Sequence, residues 1–185
     1  MPRTIFHTLL FTLFSLQTIS ANPPSDTSIV LEIKQAISTG NDDVEERVDG
    51  SMYLNSSDIE LVNDNGNQTV GLRFQNLLIE QGVEILEAYL HFTTDDETSS
   101  NFCSLHIAAE AADDAAAYEN DNFNVSSRIV TDAQVTSWVP DSWVITGEKG
   151  DRQKTPDLKD LVQEVINRPN WQFGNAMSFV FTGLG

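Results

Sequence analysis

Residues 84–92 read Glu-Ile-Leu-Glu-Ala-Tyr-Leu-His-Phe, and every second position is apolar, at Leu86, Ala88, Leu90 and Phe92. Successive side chains of a strand point to opposite faces, so this pattern predicts a strand with one buried and one polar face. Similar alternation occurs in residues 29–37, 69–74, 101–109 and 178–182. Such runs predict an antiparallel sheet that is solvated on one side.

Turn-forming residues separate these runs, with Gly, Asn and Asp concentrated at residues 40–43, 63–67 and 147–150. Short strands joined by such turns predict a mainly β fold, an antiparallel two-sheet β-sandwich of jelly-roll type with one short helix. We expect its core to contain Leu72, Phe74, Leu90, Phe92, Leu105, Ile107, Phe179 and Phe181.

The single helix is predicted over residues 156–167. Thr155 is a suitable N-cap, and Pro156 suits the first helical position. One apolar stripe follows at helical spacing, formed by Leu158, Leu161, Val162, Val165 and Ile166. Pro169 then stops the helix, which we expect to close one edge or end of the sandwich.

The N-terminal residues have the features of a signal peptide. Arg3 precedes an apolar run at residues 8–19, which is too short to span a bilayer, and the small residue Ala21 follows. We therefore expect a signal peptide over residues 1–21, an extended leader over 22–28 and one domain over 29–185. No later segment is apolar enough to cross a membrane, so the prediction is a secreted, extracellular protein without membrane insertion.

Charge and cysteine content limit the classes of partner. The chain has 10 Lys and Arg against 28 Asp and Glu, a formal net charge of −18, which argues against nucleic acid and anionic membranes as partners. Cations are compatible with it. Cys103 is the one cysteine, so no internal disulfide forms, and its alternation with Leu105 and Ile107 predicts a buried apolar role.

Two regions resemble a known family. The first is Gln68-Thr-Val-Gly-Leu-Arg-Phe74, followed by Ile79-Glu-Gln-Gly82 and Ile85-Leu-Glu-Ala-Tyr-Leu-His-Phe92; the second runs from Thr155-Pro-Asp-Leu158 to Asn170-Trp-Gln-Phe-Gly-Asn175. Together they resemble the DNRLRE-type jelly-roll modules of large secreted and cell-surface proteins. The resemblance covers residues 29–185 and implies a non-catalytic binding or spacer unit, in some cases carbohydrate-binding. The family pattern continues into a further strand, so it also implies that a C-terminal edge strand is missing here.

An acidic cluster is the first candidate site. Asp42, Asp43, Glu45 and Glu46 lie in and just after a turn, and calcium takes six to eight oxygen ligands from such loops. Two alternatives are a solvated charge run and a pair of glycosidase carboxylates.

Tryptophans form the second candidate site. Trp138, Trp143 and Trp171 each lie near a proline, and indole rings stack on sugars when they are exposed; the alternative is that they are packed core residues. Three N-glycosylation sequons begin at Asn55, Asn67 and Asn124.

An enzymatic interpretation rests on Arg73, Tyr89, His91 and His106, which the alternation places on polar faces. Arg could neutralise a uronate while Tyr or His abstracts a proton, as in a polysaccharide lyase. We favour a secreted, non-catalytic module that binds a polysaccharide or cell-surface glycan. A structural spacer or adhesion domain stabilised by calcium and a polysaccharide lyase are the alternatives.

Overall fold

The computed structural model of the chain describes residues 8–15, 29–37, 39–64, 66–95 and 103–184. In chain order its strands are β1 Thr8–Ser15, β2 Ile29–Ala36, β3 Asp43–Arg47, β4 Met52–Tyr53, β5 Gln68–Phe74, β6 Glu84–His91, β7 Ser104–Glu110, β8 Val130–Trp138 and β9 Met177–Leu184. The α-helix α1, Lys159–Ile166, lies between β8 and β9 and follows a short 3-10 turn at Asp151–Gln153.

The strands form two antiparallel sheets. Six strands pair in the order β4-β3-β5-β9-β7-β8, and the other three pair in the order β2-β1-β6. The prediction of a mainly β, antiparallel fold with one helix is therefore confirmed. The packing of two sheets into a sandwich of jelly-roll type stays a prediction.

The hydrophobic core lies on one face of the six-stranded sheet. All eight core residues predicted from the alternation are at most 2% exposed. The ring of Phe92, which follows β6, meets that of Phe181 on β9 edge to face, with centroids 6.0 Å apart. The predicted apolar stripe of α1 and Leu158 is buried in the same cluster, so this part of the prediction is confirmed.

The other face of the six-stranded sheet carries a second, smaller core, which was not predicted. Residues 111–129 cross this face, and the fully buried Tyr118 packs there with Val44, Val125 and Val180. Its hydroxyl is hydrogen-bonded to that of Ser178, and a Cβ at Gly71 would lie 2.5 Å from its ring. The expectation of a solvated face is wrong here, because the long loop between β7 and β8 brings its own apolar side chains.

A β-bulge reverses the faces at the start of β6. Ile85 is 5% exposed and Leu86 is 40% exposed, the opposite of the predicted alternation. The pairing of β6 with β1 shifts register at this point, between Thr12 and Leu13. Leu86 is the extra residue of the bulge, so Ile85 before it and Ala88 after it both face the core. The predicted alternation therefore holds only from Ala88 onward.

The segment before α1, together with Gln163 of the helix, covers the second edge of β6. Thr155 Oγ1 accepts the N–H of Leu90 at 3.0 Å, Asp157 Oδ1 accepts that of Ala88 at 3.0 Å, and Gln163 Oε1 accepts that of Ile85 at 2.9 Å. Thr155 is thus not the predicted N-cap, and the helix begins at Lys159 instead of residue 156. The backbone N–H groups of Thr155 and Leu158 donate to the carbonyls of Leu90 and Ala88 on β6. This pairing holds the segment against the strand, which is why the helix starts late.

Replacing Thr155 by valine removes the acceptor for the Leu90 N–H without changing the shape of the side chain. We expect the free energy of unfolding to fall by about 1–3 kcal/mol, because a buried donor is left without a partner. Urea denaturation followed by circular dichroism measures the loss. Thr136→Val, at an exposed position of β8, is the matched control and should change stability by less than about 0.5 kcal/mol. Equal effects of the two substitutions would contradict this account of the edge.

The three-stranded sheet includes residues of the predicted signal peptide. Strand β1 pairs with β2 on one side and β6 on the other, so cleavage after residue 21 would remove their common partner. The signal peptide itself stays a prediction. The alternation in residues 29–37 predicts that Leu31, Ile33 and Ile37 share a buried face. Ile33 and Ile37 pack against the core, whereas Leu31 is 55% exposed on this outer strand. Among the described residues, no helix has the length and apolar character needed to cross a membrane.

Candidate ligand-binding cleft

The carboxylate of Asp42 is buried in an ion pair. Its Oδ1 lies 2.6 Å from Arg73 Nη1, and its Oδ2 accepts the side-chain amide of Gln75 at 2.6 Å and the hydroxyl of Thr39. Arg73 Nε also donates to the carbonyl oxygen of Ala115, at 2.7 Å. The Asp42–Arg73 pair therefore joins the turn before β3 to β5 and to the loop over the second core.

Glu45 and Glu46 are also buried, but on opposite faces of β3. Glu45 Oε1 accepts the side-chain amide of Gln68 at 2.8 Å and the backbone N–H of Glu60 at 3.0 Å. Burial, together with a hydrogen bond to the Glu60 side chain, raises the pKa of Glu45 to about 8. Glu46 Oε2 instead accepts the backbone N–H groups of Val125 and Ser126, at 2.8 and 2.9 Å.

The four predicted calcium ligands are not brought together. The carboxylates of Asp42, Glu45 and Glu46 each have separate protein partners. Asp43 is the fourth residue of the acidic cluster, and burial raises its pKa to about 6. Among the residues the structure describes, no group of three or more His, Cys, Asp or Glu side chains is placed to hold a metal ion. The acidic run joins segments of the protein to one another, and its placement gives calcium binding no support.

The three tryptophans pack in or beside the main core. Trp138 is 7% exposed and stacks on Phe92, and Trp171 is 2% exposed and donates its indole N–H to the carbonyl of Ile79 at 2.9 Å. Trp143 is half-buried, lies against Phe92 with centroids 5.7 Å apart, and donates to the carbonyl of Arg152. The faces of Trp138 and Trp171 are covered by protein, so these two rings do not offer a surface to a sugar.

The residues of the lyase interpretation lie apart. Tyr89 and His91 belong to β6 in the three-stranded sheet, where the Lys154 ammonium sits 3.3 Å from the Tyr89 ring centroid. Arg73 and His106 belong to the six-stranded sheet, opposite Ser178 and Thr182 of β9 respectively. Ser178 and Thr182 are four residues apart on β9, so Arg73 and His106 lie about 13 Å apart along the strand direction. Asp42 also neutralises the charge of Arg73, so a single uronate could not contact all four of these side chains.

A polar, solvent-open cleft of about 210 Å³ lies beside β4. Its lining consists of one aromatic residue, three asparagines and two apolar residues: Asn41, Met52, Tyr53, Leu54, Asn55 and Asn120. We call this the amide cleft. Tyr53 is 44% exposed, and the guanidinium of Arg47 lies 5.9 Å from its ring centroid. An exposed aromatic residue and three asparagines therefore line one cavity.

Each wall of the amide cleft is tied to a buried anchor. Asn41 precedes Asp42, and its carbonyl accepts the N–H of Tyr118 at 3.4 Å. Asn120 follows two residues after Tyr118, whose ring is fixed between the loop and β5. Tyr53 is paired with Glu45 across the β3–β4 ladder. The buried polar residues of β3 and the second core therefore hold three separate segments around one cavity.

The sequence alone did not identify this cleft. Its asparagines come from the turn before β3, the segment after β4 and the loop over the second core, so no spacing in the sequence relates them. The one available signal was Tyr53, a large aromatic residue in a short alternating run between turns.

Comparison with protein-family models, with curated proteins and with solved structures finds no match to this chain. The resemblance to DNRLRE-type modules therefore stays a prediction.

Proposed function

We propose that this protein is a secreted, non-catalytic module that binds carbohydrate in the amide cleft. The observation that carries the proposal is the exposed residue Tyr53, which lines a solvent-open cavity together with three asparagines. The three-stranded sheet, which contains the residues of the predicted signal peptide, contributes nothing to the lining. Binding is therefore expected of the protein whether or not the signal peptide has been removed.

The side chains of the amide cleft match the chemistry of a sugar ring. The C–H face of a pyranose packs against an aromatic ring, and Tyr53 supplies that surface. Sugar hydroxyls donate and accept hydrogen bonds, and each asparagine offers an acceptor oxygen together with two donor hydrogens. The cavity is smaller than the roughly 300–1,000 Å³ of a pocket for a drug-sized ligand, so it suits a single ring or chain end.

Charge selects among the classes of glycan. The chain carries a net charge of −18, and the field of so many carboxylates repels uronates and sulfated sugars. No lysine or arginine lines the amide cleft to offset this repulsion, although Arg47 contacts the Tyr53 ring. We therefore expect a neutral glycan as the ligand.

A glycan array probed with the full chain tests this proposal. We expect retention of neutral glycans, and Tyr53→Ala should weaken the Kd about tenfold, because an aromatic contact is worth about 0.5–1.5 kcal/mol beyond its buried area. Tyr53→Phe should preserve most of the affinity, since it keeps the ring. Tyr89→Ala, a change to a tyrosine of the other sheet, is the matched control and should leave binding unchanged. A folded protein that retains no neutral glycan would refute the proposal.

A further inference from the structure

Asn55 has two properties that no other asparagine of the chain combines. It lines the amide cleft, and it begins the sequon Asn55-Ser56-Ser57. Its side chain is exposed, as an acceptor of N-glycosylation must be. An attached glycan would thus start at the wall of the cavity that the proposed function assigns to carbohydrate.

We propose that the first N-acetylglucosamine attached to Asn55 packs on the Tyr53 ring and fills the amide cleft, so that N-glycosylation of Asn55 closes the site to external carbohydrate. The inference rests on the proposed function in one respect, which is that the cleft must accept a sugar ring. It makes the protein's own glycan a competitor of its ligand.

The placement of the two residues favours this contact. Tyr53 ends β4 and Asn55 lies two positions further on, and both line the same cavity of about 210 Å³. Tyr53 and Asn55 are both exposed, whereas Met52 and Leu54 are half-buried against the second core. This alternation puts Tyr53 and Asn55 on the same side of the chain, so a sugar on Asn55 starts beside the ring. The first sugar is neutral, and the ring therefore meets an uncharged C–H face.

The modification itself follows ordinary chemistry. In a secretory compartment the donor is an oligosaccharide on a lipid pyrophosphate. The bond from its anomeric carbon to the phosphate oxygen breaks, a bond from that carbon to Asn55 Nδ2 forms, and the amide gives up one proton. The product amide keeps one N–H, so Asn55 has one hydrogen-bond donor instead of two for any external ligand.

The other two sequons provide internal comparisons. Asn67 is exposed but lies outside the amide cleft, so its glycan should have no contact with Tyr53. Asn124 is half-buried, and its Oδ1 accepts the N–H of Glu119 at 3.1 Å and Arg128 Nη2 at 3.3 Å. These contacts hold the Asn124 side chain against the loop over the second core, and we expect little modification there.

The test uses the full chain placed behind a secretion signal and produced in a glycosylating eukaryotic cell. Variants Asn67→Gln/Asn124→Gln and Asn55→Gln/Asn124→Gln keep one sequon each, and an endoglycosidase trims each glycan to a single N-acetylglucosamine. We expect the sugar on Asn55 to raise the Tm by a few degrees, to shift its acetyl proton resonance through the ring current of Tyr53, and to reduce binding to array glycans at least tenfold. Adding Tyr53→Ala should abolish the Tm and resonance shifts, and the sugar on Asn67 should produce none of these effects.

The outcomes separate the two proposals. If the unmodified protein binds no external glycan, yet the sugar on Asn55 shows the Tyr53-dependent shifts, the proposed function fails and the contact within the glycoprotein stands. If the unmodified protein binds glycan and the sugar on Asn55 neither blocks binding nor senses Tyr53, the inference is overturned. An unmodified Asn55 in molecules whose Asn67 is glycosylated overturns it as well.

Discussion

Replacement of Arg73 by methionine should lower the free energy of unfolding by about 3–5 kcal/mol, because it leaves the Asp42 carboxylate buried without its cation. The Asp42 side chain is 2% exposed, and Arg73 also donates to the Ala115 carbonyl, so two segments lose their contact with this guanidinium group of β5. Urea denaturation measures the change. The double variant Arg73→Met/Asp42→Asn should recover part of the loss, since it removes the unpaired charge.

Arg152→Met is the matched control for this prediction. The Arg152 side chain is exposed, so its replacement should change stability by less than about 0.5 kcal/mol. If Arg73→Met behaved like this control, the Asp42–Arg73 pair would not be an anchor of the fold. Arg73→Met should also weaken glycan binding in the molecules that remain folded, because Asn41 of the amide cleft is the neighbour of Asp42.

Stability should fall as the pH rises from 5 to 8.5, by on the order of 3 kcal/mol. Burial is the main cause that raises the pKa of Glu45 from 4.5 to about 8, so the folded protein holds a proton that the unfolded chain has released. The contribution of this proton to the free energy of unfolding is complete below pH 4.5 and is lost as the pH rises toward 8. Asp43, whose pKa is raised to about 6, acts in the same direction at lower pH.

Glu45→Gln tests the origin of this pH dependence. Glutamine keeps an acceptor for Gln68 and for the Glu60 N–H and carries no titrating proton, so most of the slope above pH 5 should disappear. Glu80→Gln, at an exposed position, should leave the slope unchanged. A variant Glu45→Gln with the full pH dependence of the parent would show that the proton is held elsewhere.

The central strands could be predicted because their side chains alternate without interruption. Val70, Leu72 and Phe74 of β5 are fully buried, as their spacing required. The prediction failed at Leu86, because a bulge depends on pairing with another strand and leaves no mark in local spacing. It failed at Thr155 for a related reason, since a residue with good N-cap chemistry binds a neighbouring strand instead.

The functional site was harder to predict than the strands, and the reason is physical. Asp42, Glu45 and Glu46 looked like solvated or metal-binding carboxylates, because a sequence does not show that Arg73, Gln68 and two backbone N–H groups will meet them. Tryptophan's size makes it a good sugar platform and an equally good core residue, and Trp138 and Trp171 are core residues. The amide cleft depends on loops that only the tertiary fold brings together.

The most direct measurement of the central claim follows the side-chain amide resonances of asparagine by NMR while the full chain is titrated with the neutral glycan it retains best on the array. Binding in the amide cleft predicts saturable shifts of the NH₂ signals of Asn41, Asn55 and Asn120, and of the backbone at Tyr53. The amides of Asn170 and Asn175, which bond to Asp113, should stay in place. Shifts centred on any other part of the surface, with these three amides unmoved, would contradict the claim.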